Sequence, residues 1–310
     1  GYEDGFFVGP HLFDRVTKDM DIYKTEIFGP VLSTVRAGNY EEAIGLAMDH
    51  EYLRRLCKAL EPLEIMWNSA VTIDVTDDPT LVRDMALSGC TGVFVGLESL
   101  NNDNIIDSNK KSPHAEIYAE RVKIFHQYGI NVNGSFVFGF DHDTPEVFER
   151  TIQWVEENKL ACATFHILTP YPGTPLFRQM ENEGRVLHKN WDLYDTANVV
   201  YQPKKMSVRQ LMEGYTMTYQ RLFSLRSIWR RRPEKVTSVP AYLAATLLYK
   251  RSNMFWHLLI KWRLTRSVWY PLVEISRRRN VKFRKKLRQE IEAELTHNGL
   301  EKLSYMLPGV

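Results

Sequence analysis

An α/β fold built on a parallel sheet is predicted for the middle of this 310-residue chain by three observations. Apolar runs alternate with amphipathic stretches, and Gly89 and Gly129 stand where two of those stretches should stop. Asp143 or Thr144 with Pro145 stands where another should begin. The strand candidates are LEIMWNSAVTI (63–73), TGVFVGLES (91–99), NVNGSFVFGF (131–140) and CATFHILTP (162–170). Between them TLVRDMALSG, HAEIYAERVKIFHQYG and TPEVFERTIQWVEENK read as helices. Strands alternating with helices imply parallel βαβ units, in the rhythm of an α/β barrel. Chemistry in such a barrel collects at the carboxyl ends of the strands, so Glu98, Gly139 to Asp143 and Thr169 to Thr174 should face one site.

Composition sets three zones, 1–52, 53–226 and 227–310. In the first, FFVGPHLFDRV and PVLSTVRA read as short strands around the turn-like EIFGP, and NYEEAIGLAMDH as a helix started by Asn39. That is too little for a domain of its own. The chain is 44% hydrophobic and carries a formal charge of +2, which averages a balanced body with a basic tail after Arg226. Cys57, Cys90 and Cys162 are odd in number and widely spaced, which excludes a disulfide framework and points to a reducing, cytoplasmic setting. Each reads as a small buried hydrophobe. No run reaches the roughly 18 to 20 apolar residues of a membrane span, and no signal peptide is expected. The histidines are scattered without an HExxH pattern, so a zinc hydrolase is not supported and no metal site is assigned. His166, in a strand, could line the barrel, but a satisfied core histidine is the preferred reading.

The candidate site residues have physical roles of their own. Glu98 ends an apolar strand, where a carboxylate can accept hydrogen bonds from a ligand's ammonium or hydroxyl groups or pair with a barrel cation. Gly134 and Gly139 flank a strand and would let a ligand approach the backbone. In PYPGTP the prolines stiffen the turn and Gly173 supplies an unusual backbone angle before the helical PLFRQMENEG.

The lead segment, through GFFVGPHLFDRVT, MDIYKTEIFGPVL and EEAIGLAMDHEY, resembles the aldehyde dehydrogenase superfamily, most closely its methylmalonate-semialdehyde type. His11 and Thr25 depart from the usual Thr and Glu. The resemblance implies that Glu26 and Phe28 are vestigial NAD contacts, since the family's nucleotide-binding region and nucleophilic cysteine are expected upstream of this segment. An NAD-dependent dehydrogenase is thus one alternative for the chain, and a disfavoured one.

From about residue 53 onward SGCTGVFVGLESLN, NGSFVFGFDHDTPEVFERTIQW and FHILTPYPGTPLFRQMENEGR, followed by WDLYDTANVVYQPKKMSVRQLMEGY, resemble the cobalamin (B12)-binding-domain-containing radical SAM proteins, which include hopanoid-modifying methylases. The fold implied is the later strands of a radical SAM (β/α) barrel followed by an α-helical carboxyl-terminal region. The cofactors implied for the parent family are S-adenosylmethionine, a [4Fe-4S] cluster and cobalamin. By resemblance Glu98, Ser99, Gly134, Gly139, Pro170, Pro172 and Gly173 approach S-adenosylmethionine. The activity implied is radical-mediated methylation, or a related modification, of an unreactive small-molecule or lipid-like substrate. The CxxxCxxC cluster motif is missing from these 310 residues, and its place is taken by the dehydrogenase-like lead. The chain is therefore expected to be a chimera joined near Tyr52 and Leu53 and inactive by itself, with a non-catalytic fragment or pseudoenzyme as the competing class.

In the third zone Trp and Tyr interleave with Arg and Lys at helical spacing, giving basic amphipathic helices. An anionic membrane surface, met through about residues 255–288, ranks above nucleic acid as the partner, because HLLIKW and WYPLVEI are too apolar for a solvated groove. Helices packed on the barrel flank with a solvated basic face are an equal expectation.

Overall fold

The computed structural model describes residues 11–13, 20, 31–33, 50–107, 115–233, 239–244, 246–247, 261–262 and 264–297. Two compact units divide the chain, Gly1–Leu53 and Arg54–Val310. In the first, β1 (His11–Phe13) and β2 (Val31–Ser33) pair in parallel, with His11 opposite Val31. Glu26, Phe28 and the helix predicted from Asn39 lie outside the described residues.

In the second unit the predicted alternation is present. Helix α1 (His50–Leu60), most of which belongs to this unit, leads into β3 (Trp67–Val71), α2 (Pro79–Ser88) and β4 (Cys90–Glu98). After the short α3 (Asn102–Asp107) come α4 (Tyr118–Gln127), β5 (Asn131–Phe138), α5 (Glu146–Glu157) and β6 (Cys162–Ile167). The four strands form one parallel sheet in the order β3-β4-β5-β6. Helices α6 (Pro175–Asn182), α7 (Val208–Leu222), α8 (Leu225–Arg230), α9 (Val239–Ala244) and α10 (Thr265–His297) follow.

Period-two alternation gives the sheet two unlike faces. Val93, Val95 and Leu97 of β4 are buried, as are Val132, Phe136 and Phe138 of β5 and Phe165 of β6. This face is covered by helices: the Phe138 and Phe148 rings meet edge to face at 4.9 Å, and Phe136 meets Trp154 of α5 at 5.9 Å. Gly214 lets α7 press onto α5, because a Cβ there would lie 2.0 Å from the Phe148 ring. On the opposite, open face Phe94 and Gly96 are exposed between their buried neighbours.

Helix ends follow the side chains that satisfy them. The Asp78 carboxylate caps α2 by accepting from the backbone N–H groups of Thr80 and Leu81, and Gly89 ends it at φ 104°. Helix α5 starts beside Pro145 as expected, but no side chain caps it. Pro145 holds the capping position, while the Asp143 carboxylate turns back to the preceding loop. The outer edge of β6 is closed by the Tyr219 hydroxyl, which accepts from Phe165 N–H and donates to Phe165 C=O, both at 3.0 Å.

Of the third zone, α10 packs on the flank of the sheet. Arg284 of α10 is buried and donates to the carbonyls of Ile65 at 3.3 Å and Glu61 at 3.0 Å, and Phe283 sits against Gly129. No helix among the described residues is long and apolar enough to cross a membrane.

Candidate functional site

The carboxyl ends of β4, β5 and β6 bring together residues far apart in sequence. Glu98 closes β4 in the left-handed region at φ 59°, next to a register shift between Gly96 and Glu98. Its carboxylate lies over Gly96, whose absent Cβ would be 2.8 Å from Oε1. The side chain is thereby placed on the open face.

Directly after Glu98 in sequence, a buried polar network joins two loops. Ser99 Oγ accepts from Asn101 N–H at 3.1 Å and from Asn104 Nδ2 at 3.0 Å. Asn104 Nδ2 also donates to Asp143 Oδ1 at 2.7 Å, and its Oδ1 accepts from His142 N–H at 3.2 Å. Asp143 Oδ2 accepts from the N–H groups of Gly139 and Phe140 at 2.9 and 3.1 Å. Burial pushes the Asp143 carboxyl above its ordinary pKa despite these bonds. The loop after β4 and the loop after β5 are therefore fixed to each other through one amide and one carboxylate.

Gly139 and Gly134 are accounted for by packing. At φ 98°, Gly139 offers its carbonyl to the Tyr201 hydroxyl, and a Cβ would lie 2.2 Å from that oxygen. Gly134 belongs to the helix-covered face, where a Cβ would press on Leu160, Leu97 and Phe136. Next to Gly139, Asp141 takes two bonds from Arg185, at 2.6 and 3.3 Å, and one ion pair from Lys204 at 2.7 Å. Burial alone would raise the Asp141 pKa, but the bonds from Arg185 and Lys204 prevail and lower it.

After β6, Pro170 is buried while Pro172 and Gly173 are exposed, with Gly173 at φ 83°. Thr174 caps α6 by accepting from Phe177 N–H at 3.1 Å. His166 departs from the expected core position. It is half-buried in the open-face register of β6, opposite Val137, and its Nδ1 lies 3.2 Å from Thr196 Oγ1. Sequence periodicity could have shown this, since Phe165 and Ile167 alternate with it as buried residues.

The three cysteines do not fit an iron–sulfur cluster. Cys57 and Cys90 are buried thiols, the second pushed up to about 12 by burial, whereas a cluster requires thiolates. Cys162, expected to be buried, is half-buried. No group of three or more His, Cys, Asp or Glu among the described residues could hold a metal ion.

Comparison with known proteins matches each part to a different family. The profile of the aldehyde dehydrogenase family matches residues 1–54, and that of the radical SAM superfamily matches residues 40–155. The bacteriochlorophyllide d C-12(1)-methyltransferase of Chlorobaculum tepidum is 32% identical over 181 residues, 58% of this chain and 39% of that protein. The malonate-semialdehyde dehydrogenase of Pseudomonas aeruginosa is 60% identical over 57 residues, 18% of this chain and 12% of that protein. The radical S-adenosylmethionine methyltransferase TsrM of Kitasatospora setae, solved with cobalamin and a [4Fe-4S] cluster bound, aligns at 17% identity and a TM-score of 0.39. That alignment covers 49% of this chain and 30% of TsrM. The chain thus spans well under half the length of the relatives it matches. It is a chimera, in which a segment that resembles the aldehyde dehydrogenase family is followed by one that resembles the radical SAM superfamily.

Proposed function

We propose that the second unit is the S-adenosylmethionine-binding part of a cobalamin-dependent radical SAM methyltransferase whose substrate is large, apolar and unreactive. The observation that supports this most is Glu98, an anionic side chain seated over Gly96 at the carboxyl end of β4 and backed by the Ser99–Asn104–Asp143 network. S-adenosylmethionine fits such a place: Glu98 can accept from its ammonium or ribose hydroxyls. His166, held by Thr196, presents a second polar group two strands away, about 10 Å across the sheet at the usual strand spacing. When bound, that cofactor supplies either a methyl group or the precursor of a radical. This chain's residues bind and orient it. The substrate class rests on the bacteriochlorophyllide methyltransferase among the relatives.

A second reading has its own support. The burial of Cys57 and Cys90, which raises the pKa of both thiols, favours a chain that holds S-adenosylmethionine without cleaving it. Both readings require binding. Equilibrium dialysis with labelled S-adenosylmethionine should give saturable binding, and Glu98→Gln should weaken it about tenfold or more, the value of one charge-assisted hydrogen bond. Absence of saturable binding to the parent chain at millimolar ligand would overturn both.

A further inference from the structure

The loop that closes beside β6 carries a β-branched residue in the left-handed region, Thr196 at φ 65°. Among the described residues three others besides glycine share that conformation. Glu64 and Lys159 end helical turns, where it is common, and Glu98 closes β4. A threonine so placed is a backbone outlier that its surroundings must hold. The Asp195 carboxylate does so, accepting from the N–H groups of Ala197 and Asn198 at 2.9 and 3.1 Å. Thr196 then reaches β6 twice. Its carbonyl accepts from Ile167 N–H at 2.7 Å, and its hydroxyl lies 3.2 Å from His166 Nδ1. The other ring nitrogen of His166, Nε2, has no partner among the described residues.

We propose that Thr196 is a positioning residue, which holds the His166 ring so that Nε2 hydrogen-bonds the S-adenosylmethionine bound by Glu98. The proposal rests on the binding reading above and adds to it the far side of the site. Register places the two groups. Glu98 pairs with Phe136 and His166 with Val137, so they stand within one residue of the same level, on either side of β5. Both side chains belong to the open face, with the half-buried Val137 between them as an apolar floor. A ligand touching both must span about 10 Å, two strand spacings, and extended S-adenosylmethionine is long enough. The bond at Nδ1 also decides which ring nitrogen carries the hydrogen, so His166 is offered in one tautomer. Glu98 and Thr196, the two left-handed residues that no helix end explains, thus serve one place, as backbone strain at a binding site does.

The test uses the full chain, labelled S-adenosylmethionine and nitrogen-15 spectra of the histidine rings. In dialysis, His166→Ala and Thr196→Gly should each weaken binding about threefold to tenfold, the value of one hydrogen bond. Thr196→Ser keeps the hydroxyl and should stay within about twofold of the parent chain. Glycine relieves the left-handed backbone, so Thr196→Gly should leave the midpoint of thermal unfolding unchanged or higher, which separates lost positioning from lost folding. The His166 ring should show one tautomer in the parent chain and in Thr196→Ser, and an average of two in Thr196→Gly, with no ligand needed. Adding ligand to the parent chain should shift the Nε2 resonance. Unchanged affinity in His166→Ala beside a loss in Glu98→Gln would overturn this proposal and leave the binding reading standing. Absence of saturable binding to the parent chain would overturn that reading and the His166 contact together. A ring that averages two tautomers in the parent chain would overturn the role of Thr196.

Discussion

Asn104 shows how much one side chain can hold. It is 1% exposed, and its amide supplies the bonds that Ser99, Asp143 and the His142 N–H would otherwise lack. Replacing it by Ala leaves three polar groups short of a partner, each worth about 1–3 kcal/mol if fully unsatisfied. Partial hydration lowers that sum, so we expect a loss of about 2–4 kcal/mol in urea denaturation. The loss should depend on pH. Burial raises the folded pKa of Asp143 above its unfolded value, so its contribution is complete below about pH 4 and lost as pH rises through the folded value. Removing the Asn104 bond raises that folded value further. The deficit of the variant should therefore be larger at pH 8 than at pH 4. Glu98 and Ser99 were legible in sequence because they end an apolar run. Asn104 was not, since its partner Asp143 is 39 residues away and no local spacing records that bond.

At the scale of elements, alternation and helix signals disclosed β3 to β6, α2, α4 and α5, because burial on one face writes itself into the chain. The start of α5 beside Pro145 was legible, whereas the turn of the Asp143 carboxylate to backbone groups before the helix was not. The contact of α7 with α5 left a single trace, Gly214. Gly214→Ala should cost about 1–3 kcal/mol or more through overpacking against Phe148, and Phe148→Leu in the same chain should recover part of it. Thermal denaturation of the single and double variants would check this, and equal loss in both would show the strain to lie elsewhere. Arg284 was likewise illegible, its carbonyl partner at Ile65 lying 219 residues away.

For the molecule as a whole, the division at Leu53 and Arg54 makes a direct prediction. Removal of residues 1–49, which leaves α1 intact with the Arg54 pairs to Asp78 and Asp84, should preserve the unfolding transition of the second unit and its affinity for S-adenosylmethionine. Neither form should bind NAD in calorimetry; micromolar NAD binding lost in the shortened chain would contradict this. The composite nature of the chain was readable because both segments retain long motifs, while the side of α10 turned to solvent needed the structure.

The Tyr219 hydroxyl on the outer edge of β6 has a consequence for self-association. It occupies both backbone groups of Phe165, and the Thr196 carbonyl takes the N–H of Ile167 at 2.7 Å. No backbone partner closes the outer edge of β3 among the described residues. Endless strand-to-strand stacking requires two available edges per molecule, one to receive and one to offer. This sheet has a stopper at one end. Two copies meeting edge to edge through β3 would terminate each other, so growth by extension of this four-stranded sheet halts at a pair.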